Sequence, residues 1–300
     1  MTQKQPICLQ QAWSALRHAV GRGGKACVGL DISSAGWVAN GPIDDEAANL
    51  LDALAPIAGD SACRVIGQLG QSLDGRIATE SGHSHTINGE AALIHLHRLR
   101  ALVDAVVVGS GTVVADHPRL TVRHVEGWSP VRVVVDPRGR APLDASPLAA
   151  DEYAPKTLHL VGEGVSLAPA ADHVQRVPVS VGPDGLEPHQ LLEILRAHGL
   201  RRVLVEGGAI TLSRFVDASA LDRLHLLVAP MLMGSGRSGL KLRPIRTVDE
   251  ALQPPVRRSE LGQDTLFDID LRAEDLSGGA RESMSGTSAP GEVAANVIKP

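Results

Sequence analysis

Residues 106–123 read VVVGSGTVVADHPRLTVR, and the order of residue types in this stretch decides the fold. Consecutive valines without polar alternation describe a strand covered on both faces, since a half-exposed strand would alternate. The run ends in Gly109-Ser110-Gly111-Thr112, a turn signal at the carboxyl end of a strand. An acid (Asp116), a proline (Pro118) and two arginines (Arg119, Arg123) then follow within a dozen residues. A buried strand entering a glycine turn is ordinary. Acid and base delivered directly after it point to a ligand.

Outward from this stretch the same pattern recurs. Apolar runs appear at RVIGQL (64–69), VRVVVD (131–136), TLHLVG (157–162), RVLVEGG (202–208), LHLLVAPML (224–232) and TLFDIDL (265–271), with helical segments at 88–102, 188–198 and 209–217. Such alternation predicts an α/β domain over 64–272, with a mostly parallel central sheet flanked by helices. The last two runs are expected to close it with an antiparallel strand. Residues 1–63 form an N-terminal extension with a helix around LQQAWSALRHAV, a short strand ACVGLDI and a helix DDEAANLLDALAPI. They carry no residue pattern that demands chemistry, and a cover or an interface is expected. Loop 136–156 is long and proline-rich, which predicts function or mobility. The Ser-, Gly- and Ala-rich tail 273–300 is expected to be disordered.

Composition narrows the function classes. A formal net charge of −5 argues against a general nucleic-acid binder, and aromatics are only 2% of the chain, so ring stacking rests on few residues. The three cysteines, Cys8, Cys27 and Cys63, are far apart and build neither a disulfide framework nor a zinc site. Histidines in HLH (95–97) sit two apart, a poor metal pair on a helix, so no metal is expected. No signal segment or long apolar run stands out, which predicts a cytoplasmic protein without a membrane association.

In an open parallel sheet, ligands gather at the carboxyl ends of the strands. Two ends stand out. At the first, Gly109 and Gly111 allow a tight turn and close approach, and Thr112 offers a hydroxyl. At the second, Gly207 and Gly208 join the strand RVLVE to a helix whose first amides suit an anion. Neither is a G-x-G-x-x-G fingerprint, and either pair alone is more often only a tight turn; together they favour a nucleotide. Glu206 closes an apolar run beside glycines, where burial of a charge is costly; it is either functional or salt-bridged to an arginine. Asp116 is a candidate acid or a turn cap. Arg100 and Arg123 suit a shared phosphate, because guanidinium matches phosphate geometry. Asp74, in SLDG (72–75), is expected to form a turn.

The segments QSLDGRIA, HRLRALVDAVVVGSGTVVADHPRLTVR, VRVVVD, VLVEGGAITLSRF and LHLLVAPMLMGSG stand in the order and spacing of a known family. Over residues 64–272 the chain resembles the reductase domain of bacterial riboflavin biosynthesis, which is dihydrofolate-reductase-like in fold. The resemblance implies NADPH-dependent reduction of the ribosyl group of 5-amino-6-(5-phosphoribosylamino)uracil, or the related diaminopyrimidinone, to ribityl. It implies cofactor contacts at Gly70, Gly109, Gly111, Thr112, Asp116, Gly207, Gly208 and Ala209. Ser84, Arg100, Leu120, Arg123 and Glu206 match substrate-binding positions, and Asp116 and Glu206 are the candidates for assisting proton transfer. A homodimer is also implied, with LHLLVAPMLM as an expected contributor to its interface.

Two features depart from the family. TIN (86–88) stands where family members usually have WIT, so Thr86 replaces an aromatic, and residues 1–63 contain neither H-x-E nor P-C-x-x-C, so no deaminase activity is expected. Thr86 keeps two alternatives open: a reductase of another pterin- or pyrimidine-like substrate, and a catalytically silent nucleotide-binding protein. For the 2′-phosphate of NADPH, Arg138 and Arg140 in PRGR (137–140) are the expected contacts.

Overall fold

A computed structural model describes residues 5–59, 64–84, 87–183 and 185–272. In chain order its elements are α1 (Leu9–Ala19), β1 (Leu30–Ser33), β2 (Gly36–Ala39), α2 (Asp45–Ala58), β3 (Val65–Ser72), β4 (Arg76–Ala78), α3 (Glu90–Leu102), β5 (Ala105–Gly109) and α4 (Ser110–Asp116). Then come β6 (Val131–Asp136), β7 (Thr157–Gly162), β8 (Val174–Val179), α5 (Pro188–Ala197), β9 (Val203–Glu206) and α6 (Ala209–Asp217). The chain continues through β10 (Arg223–Ala229), β11 (Arg237–Ser238), β12 (Val256–Leu261) and β13 (Asp264–Asp270).

Nine strands form one sheet in the order β12-β13-β10-β3-β9-β5-β6-β7-β8. From β10 to β8 every pairing is parallel, and β13 closes on β10 antiparallel, as the two last apolar runs predict. Side chains alternate between the two faces. Val106, Val108 and Leu204 enter one buried cluster, whereas Ala105, Val107, Val203 and Val205 enter the other. The first cluster lies under α1, α2 and α3; the second lies under α5 and α6. Both faces are covered, which is why the strands lack polar alternation.

Residues 5–59 belong to the first of these clusters. Trp13, Leu16, Leu51 and Leu54 pack with Ile66, Leu99 and Val106. In the extension only Leu30–Ile32 of the expected strand is extended, as part of β1, which pairs with Gly36–Ala39 as a hairpin. The loop expected to be functional or mobile is stapled down from Ala141 onwards. Buried Arg132 donates from Nη1 to the Ser146 carbonyl, from Nη2 to that of Pro155, and from Nε to Thr157 Oγ1, while Ala141, Ala145 and Leu148 sink into the core. The run LHLLVAPMLM, expected to contribute to a dimer interface, is an interior strand through Ala229, and Pro230, Met231 and Leu232 at its end are exposed. The expected tail, 273–300, lies outside the described residues.

Helix α3 is fixed by buried polar contacts. His95 Nε2 and His225 Nδ1 are 2.9 Å apart, and His225 Nε2 lies 3.3 Å from Asp268, which also accepts from Arg223 Nε at 2.7 Å. Burial, then His225 and Arg98, hold the His95 pKa well below its ordinary value; burial, then Arg100, Arg123 and His124, lower that of His97 to about 3. The folded protein therefore keeps both rings neutral where the unfolded chain would take up protons, so their contribution to stability is present above the ordinary value of 6.5 and is lost below it. Acidification from neutrality towards about pH 5 is expected to lower the unfolding free energy, with His95 contributing up to about 1.4 kcal/mol per pH unit. Urea titrations read by tryptophan fluorescence test this, and a midpoint that does not move with pH would contradict it.

Candidate active site

The two glycine turns meet. Strand β5 lies beside β9, so the β5–α4 turn and the β9–α6 turn emerge at the same edge. Each turn supplies a threonine that fits against a glycine of the other. Gly208 donates its N–H to Thr112 Oγ1 at 3.1 Å, and a Cβ on Gly207 would lie 2.7 Å from that oxygen. A Cβ on Gly109 would lie 3.0 Å from Thr211 Oγ1. Gly207 also has φ +109°, a conformation few other residues adopt. Gly109 and Gly111 do not have positive φ, so the first turn does not need glycine for its backbone angles, contrary to the expectation of a tight glycine turn. A Cβ on Gly111 would meet no atom within 4 Å, which leaves that face open to a ligand. Ala209 begins α6, where first-turn amides lack intrahelical acceptors.

Glu206 ends β9 and is 6% exposed, as is Arg100 on α3. Arg100 Nε and Nη2 donate to the two carboxylate oxygens of Glu206, each at 2.7 Å, and Arg100 Nη1 donates to the Thr121 carbonyl at 3.1 Å. Burial opposes the Arg100 charge, and the adjacent carboxylate more than offsets it, raising its pKa. Two expectations are corrected here. Arg100 does not fork with Arg123 onto a phosphate, because its guanidinium is committed to Glu206. Glu206, with both oxygens engaged, is not placed to move a proton; its remaining lone pairs can still accept hydrogen bonds.

The chain leaves α4 in a strained course. His117 has φ 43° and Leu120 has φ 57°, unusual for residues with a Cβ. Leu120 is 1% exposed and sits in the core, so its side chain is an anchor. Around it, Arg119 and Arg123 are exposed. Arg123 Nη1 donates to Thr121 Oγ1 at 2.7 Å, and its backbone N–H donates to His97 Nδ1 at 2.9 Å. Partial burial, then the charges of Arg100 and Arg119, hold the Arg123 pKa below its ordinary value. Among the described residues no carboxylate pairs with Arg119 or Arg123, and guanidiniums of this kind suit an anion. Ser84 Oγ lies 3.4 Å from exposed Asp116, which brings an expected substrate residue beside an expected cofactor residue.

The remaining expected residues fare differently. Gly70 on β3 is covered by the Asn88 carboxamide, a protein neighbour where a cofactor contact was expected. Asp74 is a turn former: it accepts from Ser72 Oγ and from the amides of Met233 and Gly234, which lower its pKa to about 2. Thr86 lies outside the described residues. His97 and Thr211 were missed. His97 stands three positions before Arg100, on the same helix face, and that spacing was the available signal. A groove of about 840 Å³ lies elsewhere, between α1 and the 24–29 turn, and contains none of the glycine-turn residues.

Breaking the buried pair from one side strands a charge. Arg100→Met is expected to destabilise the fold by about 3–5 kcal/mol, and adding Glu206→Leu should restore a large part of it. Denaturant unfolding of the single and double variants reads this directly; equal stability of the two would contradict it.

Residues 64–260 match the model of the RibD C-terminal domain. The chain is 36% identical over 216 residues to the 2,5-diamino-6-ribosylamino-4(3H)-pyrimidinone 5′-phosphate reductase of Methanothermobacter thermautotrophicus, spanning 69% of this chain and 98% of that protein. It is 34% identical to the riboflavin biosynthesis protein RibD of Aquifex aeolicus, over 66% of this chain and 54% of that one. The solved structure of Acinetobacter baumannii RibD matches with a TM-score of 0.58 at 27% identity, over 75% of this chain and 63% of that one. The family model matches well over half of the chain, and the chain belongs to the RibD C-terminal domain family.

Proposed function

We propose that this chain reduces the ribosyl group of a phosphoribosylated aminopyrimidine to ribityl, with NADPH as the reductant. The observation that carries this is the pair of interlocked glycine turns opening beside Arg119 and Arg123: one element suits a dinucleotide, the other a phosphate monoester. The Methanothermobacter relative, similar over 98% of its length, is named for the diaminopyrimidinone, which favours that ring over the uracil.

The residues present fit a dinucleotide. The open side of Gly111 admits close backbone approach, and Ala209 starts a helix whose free amides suit a phosphate. When bound, NADPH supplies hydride from its nicotinamide. The protein holds and orients. Arg119 and Arg123 take the substrate phosphate, so binding energy remote from the reacting carbon aligns the sugar. Glu206, fixed by Arg100, accepts hydrogen bonds from the pyrimidine. Of the two carboxylates assigned to proton transfer, exposed Asp116 beside Ser84 is the one free to exchange a proton at the ribose oxygen.

The turn after β6 stands next to β5 and presents exposed Arg138 and Arg140. Asp136 shapes this turn by accepting the amides of Arg140 and Ala141, both at 2.9 Å. We assign these two arginines to the 2′-phosphate. A cytoplasmic homodimer completes the proposal; exposed Leu73, Met231 and Leu232 supply an apolar patch for it, and sedimentation velocity tests it.

Purified chain with NADPH and the diaminopyrimidinone phosphate is expected to oxidise the cofactor and yield a ribityl product. NADPH binding without turnover would favour another pterin- or pyrimidine-like substrate. Arg123→Ala is expected to raise KM by about tenfold or more while leaving NADPH binding intact. Reversing charge at both Arg138 and Arg140 should cost about tenfold in preference for NADPH over NADH; an unchanged ratio would remove them from the 2′-phosphate.

A further inference from the structure

We propose that the N-terminal extension is part of the substrate machinery: Trp13, Arg17 and Arg22 are positioning residues that hold the loop bearing Arg123. This rests on the assignment of that loop to the substrate phosphate.

Residues 121–129 contain neither helix nor strand, so side chains must fix their course. The first limb is held from α3, through Arg100 on the Thr121 carbonyl and His97 on the Arg123 amide. The returning limb is held by the extension. Trp13 Nε1 donates to the Glu126 carbonyl at 2.9 Å, and Arg17 Nη2 meets the Glu126 carboxylate at 3.0 Å. Arg22 Nη2 donates to the carbonyls of Trp128 and Ser129 at 3.3 and 3.4 Å. The same guanidinium donates from Nε to the Ala101 carbonyl at 3.1 Å, and its Nη1 lies 3.6 Å from Asp104. Arg22 thus ties the loop to the end of the helix that carries Arg100. Ser129 returns the constraint to the first limb, its Oγ accepting the Val122 amide at 3.0 Å.

These contacts exceed what a cover needs. Trp13 and Arg17 stand four apart on one face of α1, 7% and 6% exposed, with the guanidinium 5.8 Å from the indole centre. Burial lowers the Arg22 pKa, partly offset by Asp104. An apolar helix face could shield the sheet without burying guanidiniums, which is costly unless their donors are satisfied. Here Arg22 Nη2 is spent on two backbone carbonyls of one loop and Arg17 Nη2 on that loop's Glu126 carboxylate, while Arg17 Nε is buried without a partner among the described residues. The loop is also pressed close: a Cβ on Gly127 would lie 2.7 Å from the Ala101 Cβ. Glu126 and Arg123 are three residues apart, so displacement of one limb is transmitted to the other.

The test uses the full chain with Trp13→Phe, which keeps the ring and loses the donor, and with Arg22→Gln and Arg22→Lys. Hydrogen exchange over 121–129 and steady-state kinetics are measured together. Faster exchange confined to that loop is expected, with KM for the diaminopyrimidinone phosphate raised on the order of fivefold to tenfold and NADPH affinity unchanged. Arg22→Lys, which keeps a charge for Asp104 but not the fork, should recover only part. Unchanged exchange and KM would overturn the proposal, as would a uniform loss of stability, kcat and NADPH binding. A loosened loop with unchanged KM would overturn the link between loop and substrate. If the unaltered chain does not turn over this substrate, the functional reading fails, while exchange, which needs no substrate, still decides whether the extension holds the loop.

Discussion

The site depends on one buried ion pair. Arg100 and Glu206 come from elements 106 residues apart in the chain, and their two short parallel hydrogen bonds fix α3 against the end of β9. Removing both charges from water is expensive, and their attraction offsets the cost only with good geometry and with the remaining donors satisfied. The Thr121 carbonyl satisfies one of those donors, so the pair also fixes where the arginine-bearing loop begins. The carboxylate end of β9, the glycine turn after it and the loop after α4 are therefore set by a single guanidinium.

Two arginines of one sequence motif meet opposite fates for this reason. Arg100 is enclosed and neutralised; Arg123 is exposed and close to further positive charge. Only the second has a charge available to a ligand. His97 lies between the two roles. Burial and the neighbouring guanidiniums keep its ring neutral, and a neutral ring can accept the Arg123 amide. A protonated ring would offer two donors and no acceptor, so the same electrostatics that make the loop attractive to anions also preserve its hydrogen bond.

The sheet was legible because its central strands are covered on both faces, and a run such as Ala105–Val108 has one physical meaning at that length. Legibility failed at the edges. Strand β8 contains Pro178 and is buried only at its two end residues, and β12, VRRSEL, is largely exposed and polar, so neither carries an apolar run. Helix α4 was hidden because Gly-Ser-Gly reads as a turn, although Gly109 is its cap and Ser110 already its first residue. In the site, Glu206 was conspicuous as an acid closing an apolar strand, but its partner was not. Pairing across 106 residues is a property of the topology and leaves no local pattern. The same limit concealed the extension's grip on residues 126–129.

The strained backbone after α4 follows from what this short segment must do. It has to bury Leu120 in the core while turning Arg119 and Arg123 to solvent, within a few residues of a helix end. A strand would alternate the side chains but carry them away from the glycine turns, and a continued helix would spread the arginines around its circumference. Left-handed conformations at His117 and Leu120 instead reverse the chain on the spot, at a cost on the order of 1–3 kcal/mol each. Such a cost persists only where neighbours over-determine the course. Leu120 is locked from inside by the core, Thr121 by Arg100, Arg123 by His97, and the far limb by Trp13 and Arg22. The strain and the density of contacts on this loop have one cause: charge must be presented at a fixed place where no regular element can present it.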